Sequence, residues 1–334
     1  MDRQVVVVTG ASGGVGRASA VAFAARGAKV ALIARGAAGL AGAAAEVREA
    51  GGEALVVPTD IADADAVEAA AARIEAELGP IDVWVNAAMA TVFAPVLEIE
   101  PAEYRRATEV TYLGAVWGTL AALRRMRSRN RGHIIQVGSA LAYRSIPLQA
   151  PYCGAKHALV GFTDSLRCEL IHDASAIRLS MVHLCSFNTP QFRWGRSRMP
   201  KAPQPVPPIY QPEAAARAVL KASDEAPREL WVGLPAVQAI LGNRVAPWLA
   251  DRVLARQGYE GQQAAAPADA DRPDNLFAPA DADTDYGTHG QYDRQASAGD
   301  WQFQVLADWQ WMGLAGIVAL LALSILMLIV GAVF

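Results

Sequence analysis

Val5-Val6-Val7-Val8-Thr9-Gly10-Ala11-Ser12-Gly13-Gly14-Val15-Gly16, near the start of a 334-residue chain, decides the fold. Four β-branched residues in a row, with no polar alternation, read as a strand buried on both faces, as in a parallel sheet covered by helices. Glycines at 10, 14 and 16 follow at once, and then an Ala-rich stretch of helical character. Such a loop gives a tight turn, lets the backbone approach a pyrophosphate, and aims the free N–H groups of a helix start at phosphates. The spacing is GxxxGxG rather than the commoner GxGxxG, so the position between strand and helix carries the reading.

Outward from this loop the same alternation continues. Strands are predicted at 5–9, 29–34, 54–59, 82–86, 133–138, 178–184 and 229–233, with helices near 15–26, 37–50, 63–78, 101–127, 151–173 and 212–225. Seven strands with six crossovers make a doubly wound, seven-stranded parallel sheet of the Rossmann type, an α/β domain over residues 1–261. The second strand ends in Ala34-Arg35, where sites that prefer NAD carry an acidic side chain for the ribose hydroxyls. Arg35, with Arg17 on the helix after the glycine loop, suits a 2′-phosphate, so NADP is expected ahead of NAD.

Two later segments break the rhythm. Residues 191–211 hold five prolines and the basic Arg193, Arg196, Arg198 and Lys201, and are expected as a long irregular loop that covers the substrate. Residues 262–300 carry eight aspartates and little apolar surface, and are expected as a disordered acidic linker. Beyond it, Trp301, Trp309 and Trp311 resemble an interfacial belt, and 313–334 is an uncharged apolar run. At roughly 1.5 Å per helical residue that run reaches about 33 Å, enough for a C-terminal transmembrane helix. The expectation is a single-pass membrane anchor in contact with lipid, with the catalytic domain facing the cytoplasm.

Charge and cysteine usage exclude other classes. The net charge of −3 divides into +4 over residues 1–261 and −7 over 262–334, which is no nucleic-acid binder. Cys153, Cys168 and Cys185 form no CxxC pair, and the five histidines form no HxxxH, so neither a disulfide framework nor a metal site is expected. The chain opens too briefly on apolar residues before its glycines to begin with a signal peptide.

Tyr152 and Lys156 stand at i,i+4 on one helix face. In a chain with only four lysines this pairing is unusual, and it makes chemical sense: an ammonium beside a phenol favours phenolate, as proton transfer requires. Ser139 closes the fifth strand, where its hydroxyl is available to hold a carbonyl or alcohol oxygen.

On these residues the chain resembles the short-chain dehydrogenase/reductase family, over roughly 3–260. Thr9–Gly16 matches its TGxxxGxG, Asp60 in Thr59-Asp60-Ile61 its adenine-side acid, and Asn86-Ala87-Ala88 its Asn-Ala-Gly turn. The resemblance implies Tyr152 as general acid/base, Ser139 holding the reacting oxygen, and Lys156 holding the nicotinamide ribose and lowering the tyrosine pKa. It implies Thr9, Gly10, Ser12, Gly14, Val15, Gly16, Arg17, Arg35, Asp60, Ile61, Asn86, Tyr152, Lys156 and Thr189 around the cofactor. Two departures stand out. Thr111 replaces an Asn that supports a water-borne proton relay, and is expected to hold the water instead. Leu184-Cys185 replaces Pro-Gly on the nicotinamide side.

The resulting expectation is an NADP-dependent oxidoreductase that interconverts a carbonyl and a secondary alcohol, on a small and apolar substrate at the membrane. A homodimer or homotetramer through the helices 101–127 and 151–173 is implied as well. Two other readings remain open: a membrane-anchored NADPH-binding scaffold or redox sensor with little turnover, and an isomerase or dehydratase on the same fold.

Overall fold

The computed structural model describes residues 3–269 and 271–298, and the backbone of 305–306. Seven parallel strands form the sheet: β1 Val5–Thr9, β2 Lys29–Ala34, β3 Glu53–Pro58, β4 Val83–Asn86, β5 His133–Ser139, β6 Arg178–Leu184 and β7 Glu229–Trp231. Their spatial order is β7-β6-β5-β4-β1-β2-β3, and residues Val305–Leu306 add an antiparallel edge beside β7. The strand order reverses between β1 and β4, so the crevice for a ligand opens at their carboxyl ends.

The valine run behaves as its composition requires. Val6 and Val8 join a core cluster with Phe23, Leu40 and Val219, while Val5 and Val7 join another with Ile74, Trp84 and Ile134. The first cluster lies under α1 Gly14–Ala24, α2 Ala37–Glu49 and the helix Pro212–Glu225; the second draws on α3 Ala64–Leu78. Asp63 caps α3 by accepting from the N–H groups of Asp65 and Ala66 at 3.0 Å each.

The helix predicted over 101–127 is divided. It runs as α4 Pro101–Thr108, a π-helical turn Glu109–Leu113, and α5 Gly114–Arg127. A π turn inserts an extra residue and often marks a functional site. The helix Ala150–His172, here α6, carries Tyr152 and Lys156.

Two expectations are corrected. The Pro-rich segment 191–211 is not wholly irregular: it forms the short helix α7 Gln191–Trp194 and the two- and three-residue strands Arg196–Ser197, Lys201–Pro203 and Ile209–Tyr210. The acidic segment is no disordered linker either. Gln263–Pro267 pairs with Lys201–Pro203, and Ala296–Ser297 pairs with Ile209–Tyr210. Between them Leu276 is fully buried in the main core and Tyr292 is buried against Phe192. The segment has too little apolar surface to fold alone, and it orders by leaning on arginines and carbonyls of the domain.

The apolar run 313–334 and Trp301, Trp309 and Trp311 lie outside the described residues. Among the described residues no helix is long and apolar enough to cross a membrane.

Candidate functional site

The carboxyl ends of β1, β2, β5 and β6 open onto one cleft, walled by the glycine loop, Ala34-Arg35, Thr59–Ile61, Ala87–Met89, Val137–Ser139, Tyr152, Lys156, Leu184-Cys185 and Thr189–Gln191. Gly10 and Gly14 have φ of +69° and +54°, which disfavours any side chain there. A Cβ on Gly10 would lie 2.7 Å from Ala88 Cα, and one on Gly16 would lie 2.2 Å from the Gly10 carbonyl oxygen. These clashes locate the two close approaches: the loop against the end of β4, and α1 against the loop. The backbone concavity that remains, at the start of α1, fits a pyrophosphate, so the residues present fit a dinucleotide.

At the other end, Ser139, Tyr152 and Lys156 all line the same cleft. The Ser139 hydroxyl accepts from the Leu141 N–H at 3.1 Å and stands near enough to the Tyr152 phenol to draw its pKa down. Burial pushes Tyr152 up to about 12, against the pull of Ser139. Lys156 is buried, and its Nζ donates to the Val137 carbonyl at 2.7 Å while lying 5.7 Å from the centre of the Tyr152 ring. Burial lowers the ammonium to about 8. Desolvation is the largest influence on both groups in this geometry. Beneath them His183, fully buried, places Nδ1 3.2 Å from the Ser139 carbonyl oxygen and Nε2 3.5 Å from Glu229.

Gly10, Ser12, Gly14, Val15, Gly16, Arg35, Asp60, Ile61 and Thr189 also line the cleft. Asp60 accepts from the Ala62 N–H at 3.0 Å and from Arg106 at 2.5 Å.

Four predicted residues stand elsewhere. Thr9 works from behind, its hydroxyl accepting the N–H groups of Ala87 and Ala88 at 3.1 and 3.2 Å. Asn86 is turned inward: its amide donates to Ala115, Thr119 and Gln136 and accepts from the Trp84 indole, which ties β4 to β5 and α5. Thr111 is fully buried, and its hydroxyl both donates to the carbonyl and accepts from the N–H of Ala90, at 2.9 Å each. That clasp replaces the expected water-holding role. Arg17 is gripped by Glu46 at 2.8 Å and Asp285 at 2.5 Å and does not reach the cleft wall.

The acidic segment adds cleft residues that sequence reasoning missed: Asn275 and Asp281, with Trp194 of α7 beside them. Arg35 donates to the Phe277 carbonyl at 3.0 Å and to that of Asn275. The carbonyls of Asp281 and Ala282 accept the N–H groups of Gly39 and Ala38, at 3.2 and 3.1 Å, and so satisfy the start of α2. One sequence signal was present. Gly36, Gly39 and Gly42 recur every third residue, and a Cβ on any of them would lie 1.9–2.3 Å from a carboxylate oxygen of Asp281 or Asp285.

Comparisons agree with this architecture. The family model for short chain dehydrogenases matches residues 4–198. The uncharacterized oxidoreductase YxnA of Bacillus subtilis is 31% identical over 296 residues, covering 88% of this chain and 83% of that protein. The human 17-beta-hydroxysteroid dehydrogenase 13 is 34% identical over 167 residues, half of this chain and 56% of its own length. A crystal structure of a metagenomic short-chain oxidoreductase in complex with NADP is similar with a TM-score of 0.57 and 29% identity, over 69% of this chain and 96% of that one. With the glycine cradle, Ser139, Tyr152 and Lys156 on one cleft and the family match across more than half the chain, this protein belongs to the short-chain dehydrogenase/reductase family, as a nicotinamide-dependent oxidoreductase.

Proposed function

We propose that the protein interconverts a carbonyl and a secondary alcohol. The observation that carries this is the convergence of Ser139, Tyr152 and Lys156 on the cleft that holds the glycine loop. The nicotinamide, when bound, supplies or accepts hydride. The Tyr152 phenol gives a proton to the carbonyl oxygen in reduction and takes it back in oxidation, while the Ser139 hydroxyl holds that oxygen in place. Lys156, buried beside the phenol, supplies positive charge that favours phenolate as the proton leaves. NADP is the cofactor that the Ala34-Arg35 strand end suits, and the similar structure holding NADP supports it.

An apolar substrate is supported by Leu184, Phe187, Met89 and Trp194 on the cleft wall, and by a relative named for a hydroxysteroid. The uncharged run 313–334 supports a membrane location for such chemistry. A second reading, a nucleotide-binding scaffold with little turnover, is favoured by the Thr111 clasp on Ala90, which removes one relay group.

The test is NADPH oxidation by the full chain with a panel of apolar ketones and aldehydes. Tyr152→Phe is expected to lose turnover by about 10²–10⁴-fold while still binding NADPH. Tight NADPH binding without turnover on any carbonyl supports the scaffold instead.

A further inference from the structure

Asp281 is 7% exposed, lines the cleft beside Ser12, Ala34 and Arg35, and has an Oδ2 with no hydrogen-bond partner among the described residues. A buried carboxylate oxygen without a donor is costly unless a ligand supplies one. It stands next to α2, close enough that a Cβ on Gly36 would lie 1.9 Å from Oδ1 and one on Gly39 2.3 Å from Oδ2. The strand end itself offers only Ala34, so the acidic group that the second strand lacks comes from the far end of the chain.

We propose that Asp281 sets cofactor discrimination, accepting from the adenosine ribose hydroxyl of NAD and opposing the 2′-phosphate of NADP. This rests on the dinucleotide reading above and qualifies its NADP half. Three features of the closed segment work against a phosphate. The Asp281 carboxylate carries like charge. The N–H groups of Ala38 and Gly39, a natural anion site at the start of α2, are already bonded to the carbonyls of Ala282 and Asp281. Arg35 is turned onto the carbonyls of Asn275 and Phe277, and Arg17 is held by Glu46 and Asp285. NADP binds when the segment lifts and frees Arg35, whereas NAD binds beneath it.

The experiment uses the full chain in detergent and titrates NADH and NADPH by fluorescence. Wild type, Asp281→Asn, Asp281→Ala and the exposed control Asp283→Asn are compared. The ratio of the two Kd values is expected to move at least tenfold toward NADPH in both Asp281 variants and to stay unchanged in Asp283→Asn. Asn keeps the shape of Asp, so a folding failure of the Ala variant leaves the comparison intact. In wild type, amide exchange at Ala38 and Gly39 is expected to quicken with saturating NADPH and to stay slow with NADH. A ratio within twofold of wild type in the Asp281→Asn variant, or equal protection under both nucleotides, overturns the proposal. Binding of both nucleotides with an unchanged ratio overturns only this inference. Binding of neither by any of the proteins overturns the dinucleotide reading and this inference together.

Discussion

Thr111 shows how a single hydroxyl fixes a wall of the cleft. It satisfies both polar groups of Ala90 from inside the π turn, and Val110 beside it faces the cleft. Thr111→Val keeps the shape but strands two buried backbone groups, and is expected to destabilise the protein by about 1–3 kcal/mol in a urea melt. Thr111→Ser keeps the hydroxyl and is expected to lose less than half of that. Residue identity was legible where geometry is local: Tyr152 and Lys156 share a face because any helix puts i and i+4 together. It was illegible for Asn86, Thr111 and Arg17, because spacing says where a residue sits and not which way its donors turn. Those directions come from Gln136, Ala90 and Asp285, which lie 50, 21 and 268 positions away.

At the scale of elements, α4 is pinned to the segment after α7 through Glu103. This carboxylate is buried, and Arg196 and Arg198 reach it at 2.7 and 2.6 Å. Burial alone would raise its pKa; the hydrogen bonds from Arg198, the Glu100 backbone and Arg196 outweigh burial and bring it to about 2. An acid depressed in the folded state stabilises fully above its unfolded pKa near 4.5 and loses that contribution as pH falls toward about 2. Glu103→Gln is therefore expected to lower stability at pH 7 by about 3 kcal/mol. It is also expected to flatten the loss of stability between those two pH values, as followed by thermal melts. The basic residues of 191–211 looked like a cover for substrate, yet Arg196 and Arg198 serve this clamp. Composition alone does not separate the two roles, since an arginine that pairs within the fold and one that meets a ligand look alike in sequence.

Across the whole molecule, the seven strands were legible because double-sided burial leaves unbroken apolar runs. The acidic segment was not, because its order is tertiary. Its anchors come from distant parts of the chain: Leu276 in the core, Tyr292 against Phe192, two short strand pairings, and polar contacts to Arg17, Arg35, Arg106 and Arg196. Leu276→Ala is expected to cost about 2–5 kcal/mol if the segment and sheet unfold together. If the segment detaches first, the melt changes little and limited proteolysis cuts within 271–298 much faster than in wild type. Either result fixes whether the segment is a cooperative part of the domain.

The glycine stripe of α2 has a consequence for how the cleft comes into being. Gly36, Gly39 and Gly42 leave the ribosome early, while the carboxylates that lie against them are added some 240 residues later. At synthesis rates of about 5–20 residues per second, the glycine loop waits for tens of seconds with one wall missing. A nascent or shortened chain that ends before Asp281 thus carries Arg17 and Arg35 without their C-terminal partners, beside a bare α2 start. Such a chain presents phosphates with a more welcoming surface than the finished protein does.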